Sequence, residues 1–379
     1  MRKKFISVIT ALIMSAVCLV SCGNDIVSKT GSDSRAESTS AVKTTTSASE
    51  SAGQSEPPEQ TQTETTTTTS AASSELTTTA ETTVSEAEKS VTSADTTTSQ
   101  ATTESEKVTT EKQTPVDVTL PYHNAGVLYC ADDGEYLYSK NVSKRISIAS
   151  TTKLLTASLA VNYLEADKLL TVGNEIWFIK PYSTVANLSV GNMLTTQQLL
   201  YGLILPSGND AAYTVAVNVA RAANPGKTLT DAQAVEVFVS MMNSFAAQLG
   251  MTSSHFANPE GWDDAGHYST LEDMIKLTRY AMGQPLIAQV VSTHFKSVQF
   301  ASGQYVSWTN TNSLLDKGSS FYLPEAVGGK TGTTEDAGYC VIAVIRHGGK
   351  TYYCAAMGCK QPSDRYRIVH SILKSKLGI

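Results

Sequence analysis

The sequence predicts a mixed α/β subdomain with an all-helical subdomain inserted into it, behind a long polar leader. Three observations predict this. Short apolar runs paired around turns open and close the C-terminal part of the chain. Capped, helically periodic stretches fill the interval between them. Between a short apolar N-terminal segment and about residue 116 the chain lacks the apolar side chains that a core needs.

The leader reads as two segments. Residues 1–21 have the form of a signal peptide: Met1-Arg2-Lys3-Lys4 is basic, and 5–20 is almost wholly apolar but shorter than a membrane span. Residues 19–23, Leu-Val-Ser-Cys-Gly, resemble the bacterial lipoprotein processing box. The resemblance implies cleavage before Cys22 and lipid on its sulfur, an anchor to which each buried methylene adds about 0.8 kcal/mol. Residues 22–115 read as a tether. From 24 to 115 there is no Phe, Trp, Tyr or Cys, and about half the residues are Ser or Thr. Such a stretch cannot bury enough apolar area to offset its ordering entropy, so it is expected to be disordered.

Charge follows the same division. Residues 23–115 hold 15 Asp and Glu against 6 Lys and Arg, and the signal adds +3. The total of −6 therefore leaves 116–379 about neutral. No basic surface for nucleic acid is implied.

The body, 116–379, is large enough for a full core. Runs at 125–130 and 135–138 flank Asp133-Gly134 and predict a β-hairpin. Helical stretches follow at 154–170 and 199–205. Thr230 with Gln233 and Thr270 with Asp273 are capping signals for two more helices, with Gly250 and Gly283 as their stops. A second hairpin is predicted from 339–345 and 351–357 around His347-Gly348-Gly349. A last helix, 364–377, sets Ile368, Val369, Ile372 and Leu373 on one face, which packs on the sheet. A crevice between the two subdomains is the natural place for a site.

Cys130, Cys340, Cys354 and Cys359 remain after the leader. In an exported domain they permit disulfides, with three possible pairings. A body this large does not need the crosslinks, and small buried side chains on strands is the favoured reading. His123, His255, His267, His294, His347 and His370 show no metal-ligand spacing, and His267 is expected to support a loop. No metal or other cofactor is expected. No Gly-x-Ser-x-Gly elbow surrounds Ser150 or Ser207.

Chemistry is concentrated in three short patterns. Ser150-Thr151-Thr152-Lys153 opens a helix, where i, i+3 spacing puts hydroxyl and amine on one face near unpaired backbone N–H groups. A desolvated lysine there can act as base for the hydroxyl. Ser207-Gly208-Asn209 follows the apolar run 199–206, and a hydroxyl and a carboxamide on a tight turn can relay a proton and orient a peptide. Lys330-Thr331-Gly332, after Val327-Gly328-Gly329, can hold a carboxylate at a strand edge while glycine admits substrate backbone. Singly these patterns are weak. Ser40 with Lys43 and Ser371 with Lys374 repeat the first without meaning.

In order, the three patterns resemble those of the penicillin-binding protein and serine β-lactamase superfamily. Ser207 follows Ser150 by 57 positions and Lys330 follows Ser207 by 123, intervals that fit its compact members. The stretches 199–212 (LLYGLILPSGNDAA), 256–261 (FANPEG), 266–270 (GHYST) and 310–315 (NTNSLL) are similar to the D-alanyl-D-alanine carboxypeptidase family, peptidase family S11. The resemblance covers the body and none of the tether. It implies a transpeptidase-like fold, an antiparallel sheet flanked by helices. It also implies roles. Ser150 attacks the carbonyl between two terminal D-alanines of a peptidoglycan stem peptide, and Lys153 takes its proton. Ser207 passes a proton to the leaving D-alanine. Asn209 orients substrate and lysine, and Lys330 and Thr331 bind the terminal carboxylate. The N–H groups of Ser150 and Thr333, beside Gly332, form an oxyanion hole, and β-lactams acylate Ser150. The implied location is outside the bacterial cytoplasmic membrane, held by the lipid on Cys22.

Two departures stand out. Some family members carry arginine where this chain has Thr311, so Lys330 is expected to carry more of the carboxylate binding. The chain stops near the end of the catalytic body, without the β-rich C-terminal domain and terminal anchor of several members. The rival readings are a β-lactamase, for which no Glu-x-x-x-Asn loop occurs between Asp210 and Asn310, a D,D-endopeptidase, and an inactive surface-binding or β-lactam-sensing lipoprotein.

Overall fold

A computed structural model describes residues 120–379. The signal peptide (1–21), the lipidation site Cys22 and the tether (22–115) lie outside the described residues, as do 116–119 at the start of the body.

Strands β1 (Ala125–Cys130) and β2 (Glu135–Lys140) form the first hairpin, and β8 (Gly338–His347) with β9 (Lys350–Cys359) forms the second. With β7 (Ala326–Thr334) they make a five-stranded antiparallel sheet in the order β2-β1-β9-β8-β7. The first strand thus pairs with the last, and β7 lies at one edge of the sheet.

Strand alternation divides the core. Val341, Ala343 and Ile345 turn to one face with Ile368, Val369, Ile372 and Leu373 of the terminal helix α7 (Asp364–Leu377). Ile342 and Val344 turn to the other, against the helical subdomain. That subdomain is α1 (Lys153–Tyr163), α2 (Thr196–Ile204), α3 (Asn209–Ala223), α4 (Asp231–Gln248), α5 (Leu271–Met282) and α6 (Pro285–Ser292). Residues 153–160 of α1 are all buried, whichever way they face, so this helix is the axis of the subdomain. Both capping signals act as expected. Thr230 forms a reciprocal capping box with Gln233, and the Thr270 side chain accepts from the Asp273 amide.

Two stretches differ from the sequence reading. The helix read over 154–170 ends at Tyr163, and its apolar tail is strand β3 (Leu169–Thr171). This strand pairs with β4 (Met193–Thr195). A further hairpin, β5 (Phe295–Gln299) and β6 (Tyr305–Thr309), precedes β7. Gly283 caps α5 in a right-handed conformation, whereas Gly250, one residue past the cap of α4, takes a positive φ. The four body cysteines are free and buried, all on strands β1, β8 and β9.

Among the described residues no helix is long and apolar enough to cross a membrane.

Candidate active site

The site lies where the sheet edge β7 meets the helical subdomain. Ser150 sits in a 3-10 turn, Ala149–Thr152, that leads directly into α1. The helix proper therefore starts at Lys153 rather than at the serine. Ala149, just before the serine, has φ +48°, a conformation that costs a non-glycine residue about 1 kcal/mol or more and persists only where surroundings impose it. Those surroundings are visible. Gly261 packs so tightly that a Cβ there would lie 1.9 Å from the Ala149 oxygen. His267 contributes from the other side. Its Nδ1 accepts from the Ala257 amide at 3.1 Å, which leaves Nε2 to donate to Thr152 Oγ1 at 2.8 Å. Thr152 in turn donates to the Ala149 oxygen at 2.8 Å. Burial pushes His267 down to about 4, so the ring is neutral and this chain of donors is fixed. His267 thus supports the turn that carries Ser150, in keeping with the loop-supporting role expected from the sequence.

Lys153 is wholly buried, and its Nζ meets three oxygens: Ser150 Oγ at 2.8 Å, Asn209 Oδ1 at 2.8 Å and the Glu260 backbone oxygen at 2.9 Å. Burial pushes the amine down to about 8, against the opposing pull of the Glu260 and Asp210 carboxyls. A neutral amine has two hydrogens and one lone pair. The two carbonyl oxygens can only accept, so they take the hydrogens, and the lone pair is left facing the Ser150 hydroxyl. The geometry thus selects the direction of proton transfer.

Ser207 and Asn209 come from the α2–α3 turn. Ser207 has φ +63°. The turn is tied to the loop before α2. Thr184 Oγ1 donates to the Ser207 oxygen, and Asp210 accepts from the Ala186 and Leu188 amides. Opposite, Lys330 on β7 is 1% exposed and donates to Ser207 Oγ at 2.9 Å and to the Thr331 oxygen at 2.8 Å. Burial, with Lys153 and Arg365 nearby, pushes Lys330 well below its usual value. An incoming carboxylate would offset that penalty and hold the proton on the amine. The amine keeps one donor for it. Gly332 lies against the turn that carries Ser150: a Cβ there would stand 2.8 Å from Ala149 Cβ and 2.9 Å from the Ser150 amide. Only glycine lets β7 come this close, and it brings the Thr333 and Ser150 backbones side by side.

All the sequence-nominated body residues, Ser150, Lys153, Ser207, Asn209, Lys330, Thr331, Gly332 and Thr333, therefore converge on one locus. Thr311 joins them, sharing a 2.6 Å hydrogen bond with Thr331 between hydroxyls. Two groups were missed. Arg365, on α7, reaches Thr333 Oγ1, the Gly332 oxygen and the Cys340 oxygen, each at 3.4 Å, and its buried Nε has no partner among the described residues. It sets a guanidinium against Thr333, one residue past Lys330-Thr331-Gly332, a cation that the sequence reading did not nominate. Glu260 is the second, a buried residue whose backbone oxygen meets Lys153 Nζ and whose carboxyl accepts from Tyr213. Glu260 lies in the stretch 256–261 that carries the family resemblance but received no role there, and Arg365 is a lone charged residue outside all such stretches.

A family model for D-alanyl-D-alanine carboxypeptidases, peptidase family S11, matches residues 114–361. The chain belongs to this family. Its S11 relatives include a D-alanyl-D-alanine carboxypeptidase of Streptomyces sp. strain K15, 34% identical over 227 residues, 58% of this chain and 74% of that one. The carboxypeptidase DacF of Bacillus subtilis is 28% identical over 261 residues, 66% of this chain and 60% of that one. The crystal structure of the Streptomyces K15 DD-transpeptidase matches with a TM-score of 0.61 and 31% identity, over 69% of this chain and 100% of that chain. The S11 fold expected from the motifs is the fold observed.

Proposed function

We propose that this protein is a serine-type, penicillin-binding D-alanyl-D-alanine carboxypeptidase that removes the terminal D-alanine of peptidoglycan stem peptides. One observation carries the reading: the Lys153 amine stands 2.8 Å from Ser150 Oγ with both its other contacts on obligate acceptors. Ser150 gives its proton to Lys153 and attacks the penultimate carbonyl. The oxyanion is met by the Ser150 and Thr333 amides. Ser207, held by Lys330, hands a proton to the leaving D-alanine. Lys330, Thr331 and Arg365 grip the terminal carboxylate, and Asn209 orients the peptide. Water then releases the acyl group from Ser150. β-Lactams, which present a strained amide beside a carboxylate, acylate the same hydroxyl.

Release of D-alanine from an acyl-D-alanyl-D-alanine peptide tests this, with a cross-linked muropeptide and an amine acceptor assayed in parallel. The expected result is D-alanine release by the wild type and none by Ser150→Ala. Equal release by both would remove the reading. Because a similar solved structure is a DD-transpeptidase, transfer of the acyl group to the amine is the second reading. It prevails if product appears on the acceptor in place of the hydrolysed peptide.

We also infer that the body, 116–379, works outside the cytoplasmic membrane, joined by 22–115 to a lipid on Cys22 after removal of 1–21. The support is the Leu-Val-Ser-Cys-Gly stretch at 19–23. Cys22→Ala is expected to move the protein from the membrane fraction to the soluble one and to abolish labelling with radioactive palmitate. Unchanged labelling would contradict the anchor.

A further inference from the structure

Glu260 lies in the loop between α4 and α5, and its backbone oxygen is one of the three contacts of Lys153. Its side chain is 1% exposed. Oε1 receives the Tyr213 hydroxyl at 3.4 Å, while Oε2 is buried with no hydrogen-bond partner among the described residues. A carboxylate so poorly supplied with donors is expensive to keep ionised away from water. Nothing in the transfer of a proton from Ser150 to Lys153 calls for it, yet it stands in the same buried cluster.

The charged and titratable groups around this cluster come from every side. Lys153 approaches from α1, Tyr213 and Asp210 from α3, Lys180 from the loop before α2, His267 from the loop after Glu260, and Lys330 from β7. Of the two cations that act on Glu260, Lys153 acts more strongly than Lys180. Burial raises the Glu260 carboxyl, and Lys153, Tyr213, Lys180 and Asn209 oppose it by favouring the charged form. Reciprocally, Glu260 is the foremost group holding the buried Lys153 amine up, ahead of Asp210.

We propose that Glu260 acts through Lys153 as its built-in counter-charge, stabilising the ammonium that forms when Ser150 gives up its proton. The inference rests on Lys153 being the base. In the step itself the Ser150 O–H bond breaks and an N–H bond forms on Lys153. The oxygen pair attacks the substrate carbonyl carbon, and the carbonyl π pair moves to the oxygen held by the two amides. The positive charge thereby appears beside Glu260 rather than in an uncompensated apolar pocket. Glu260 is a positioning residue for the charge and does not touch substrate.

The test is the pH profile of kcat/KM for D-alanine release by wild type, Glu260→Gln and Glu260→Asp, since this profile reports the free enzyme's base. Removing the carboxylate leaves burial less opposed, so the amine loses its proton at lower pH. The acid limb of Glu260→Gln is expected to move about one pH unit toward acid, with a plateau about tenfold lower because the base is weaker. Glu260→Asp keeps the charge and is expected to keep the limb near its wild-type position. A limb that stays in place in Glu260→Gln, whatever its plateau, overturns the proposal and leaves Glu260 a packing residue. If Glu260→Gln does not give a cooperative thermal melt, Tyr213→Phe takes its place. It removes the donor to Oε1, makes the carboxylate harder to ionise, and is expected to shift the limb the same way by less; no shift overturns the proposal. Wild-type D-alanine release with an acid limb preserves the reading of Lys153 whichever way Glu260 falls. Absence of release in the wild type would remove that reading itself.

Discussion

Lys153→Met is expected to lower the rate of Ser150 acylation by about 10³-fold, within the range for removal of a general base. Methionine is close to lysine in length and fills the same buried space, so the loss reports chemistry rather than a cavity. A thermal melt checks this. The pH dependence supplies the sharper signature. Burial sets the Lys153 amine at about 8, below its ordinary value. The reaction needs the neutral amine, so wild-type acylation rises as pH climbs through that region and is lost below it. In Lys153→Met this limb disappears, because the group that titrates has gone. Stopped-flow measurement of penicillin acylation between pH 6 and 10 reads both effects. A variant that keeps the wild-type limb would assign the base to another group.

The second large effect concerns the carboxylate grip. Lys330→Ala is expected to lower kcat/KM by about 10²-fold or more, since truncating one side of a buried charge pair costs about 2–5 kcal/mol. The loss falls chiefly on KM, because the terminal carboxylate is held alike in substrate and transition state. Some of it falls on kcat as well, since Lys330 also holds Ser207 at 2.9 Å. Arg365→Leu, which removes a cation 3.4 Å from Thr333 Oγ1, is expected to raise KM about tenfold, the scale of one hydrogen bond to a charged group. A substrate amidated at its C-terminus separates binding from folding. The wild type discriminates against the amide, and Lys330→Ala largely loses that discrimination while a structural defect would penalise both substrates equally. Steady-state kinetics on the two peptides measures it. Undiminished preference for the free carboxylate in Lys330→Ala would place the grip elsewhere.

Much of this site was legible before the fold because its parts announce themselves locally. Ser150 and Lys153 are one turn apart, Ser207 and Asn209 share a turn, and Lys330 to Gly332 lie together on a strand. Each pattern needs only its own backbone to be interpretable, and their order supplied the rest. The hairpins at both ends and α7 were legible for the same reason, since alternation and helical periodicity are local. The stretch 164–170, Leu-Glu-Ala-Asp-Lys-Leu-Leu, misled because its spaced leucines and charged residues suit the end of a helix, while Leu169 and Leu170 enter a strand of only three residues. Strands β3 and β4, three residues each, are too short to show alternation. Glu260, although inside the stretch 256–261, and Arg365 were given no role for a different reason. Glu260 is 107 positions from Lys153, and Arg365 is 32 from Thr333. No spacing rule reaches across such loops, and only the packing of the Gly261 loop on Ala149 and of α7 on β8 and β9 brings them in.

The central claim is that the Ser150 hydroxyl is the atom that becomes acylated. Incubation with benzylpenicillin followed by intact mass and peptide mapping tests it directly. A single added penicilloyl group on the tryptic peptide containing Ser150, absent from Ser150→Ala, is the result this account predicts. An adduct on any other residue, or an unmodified protein after prolonged incubation, would contradict it.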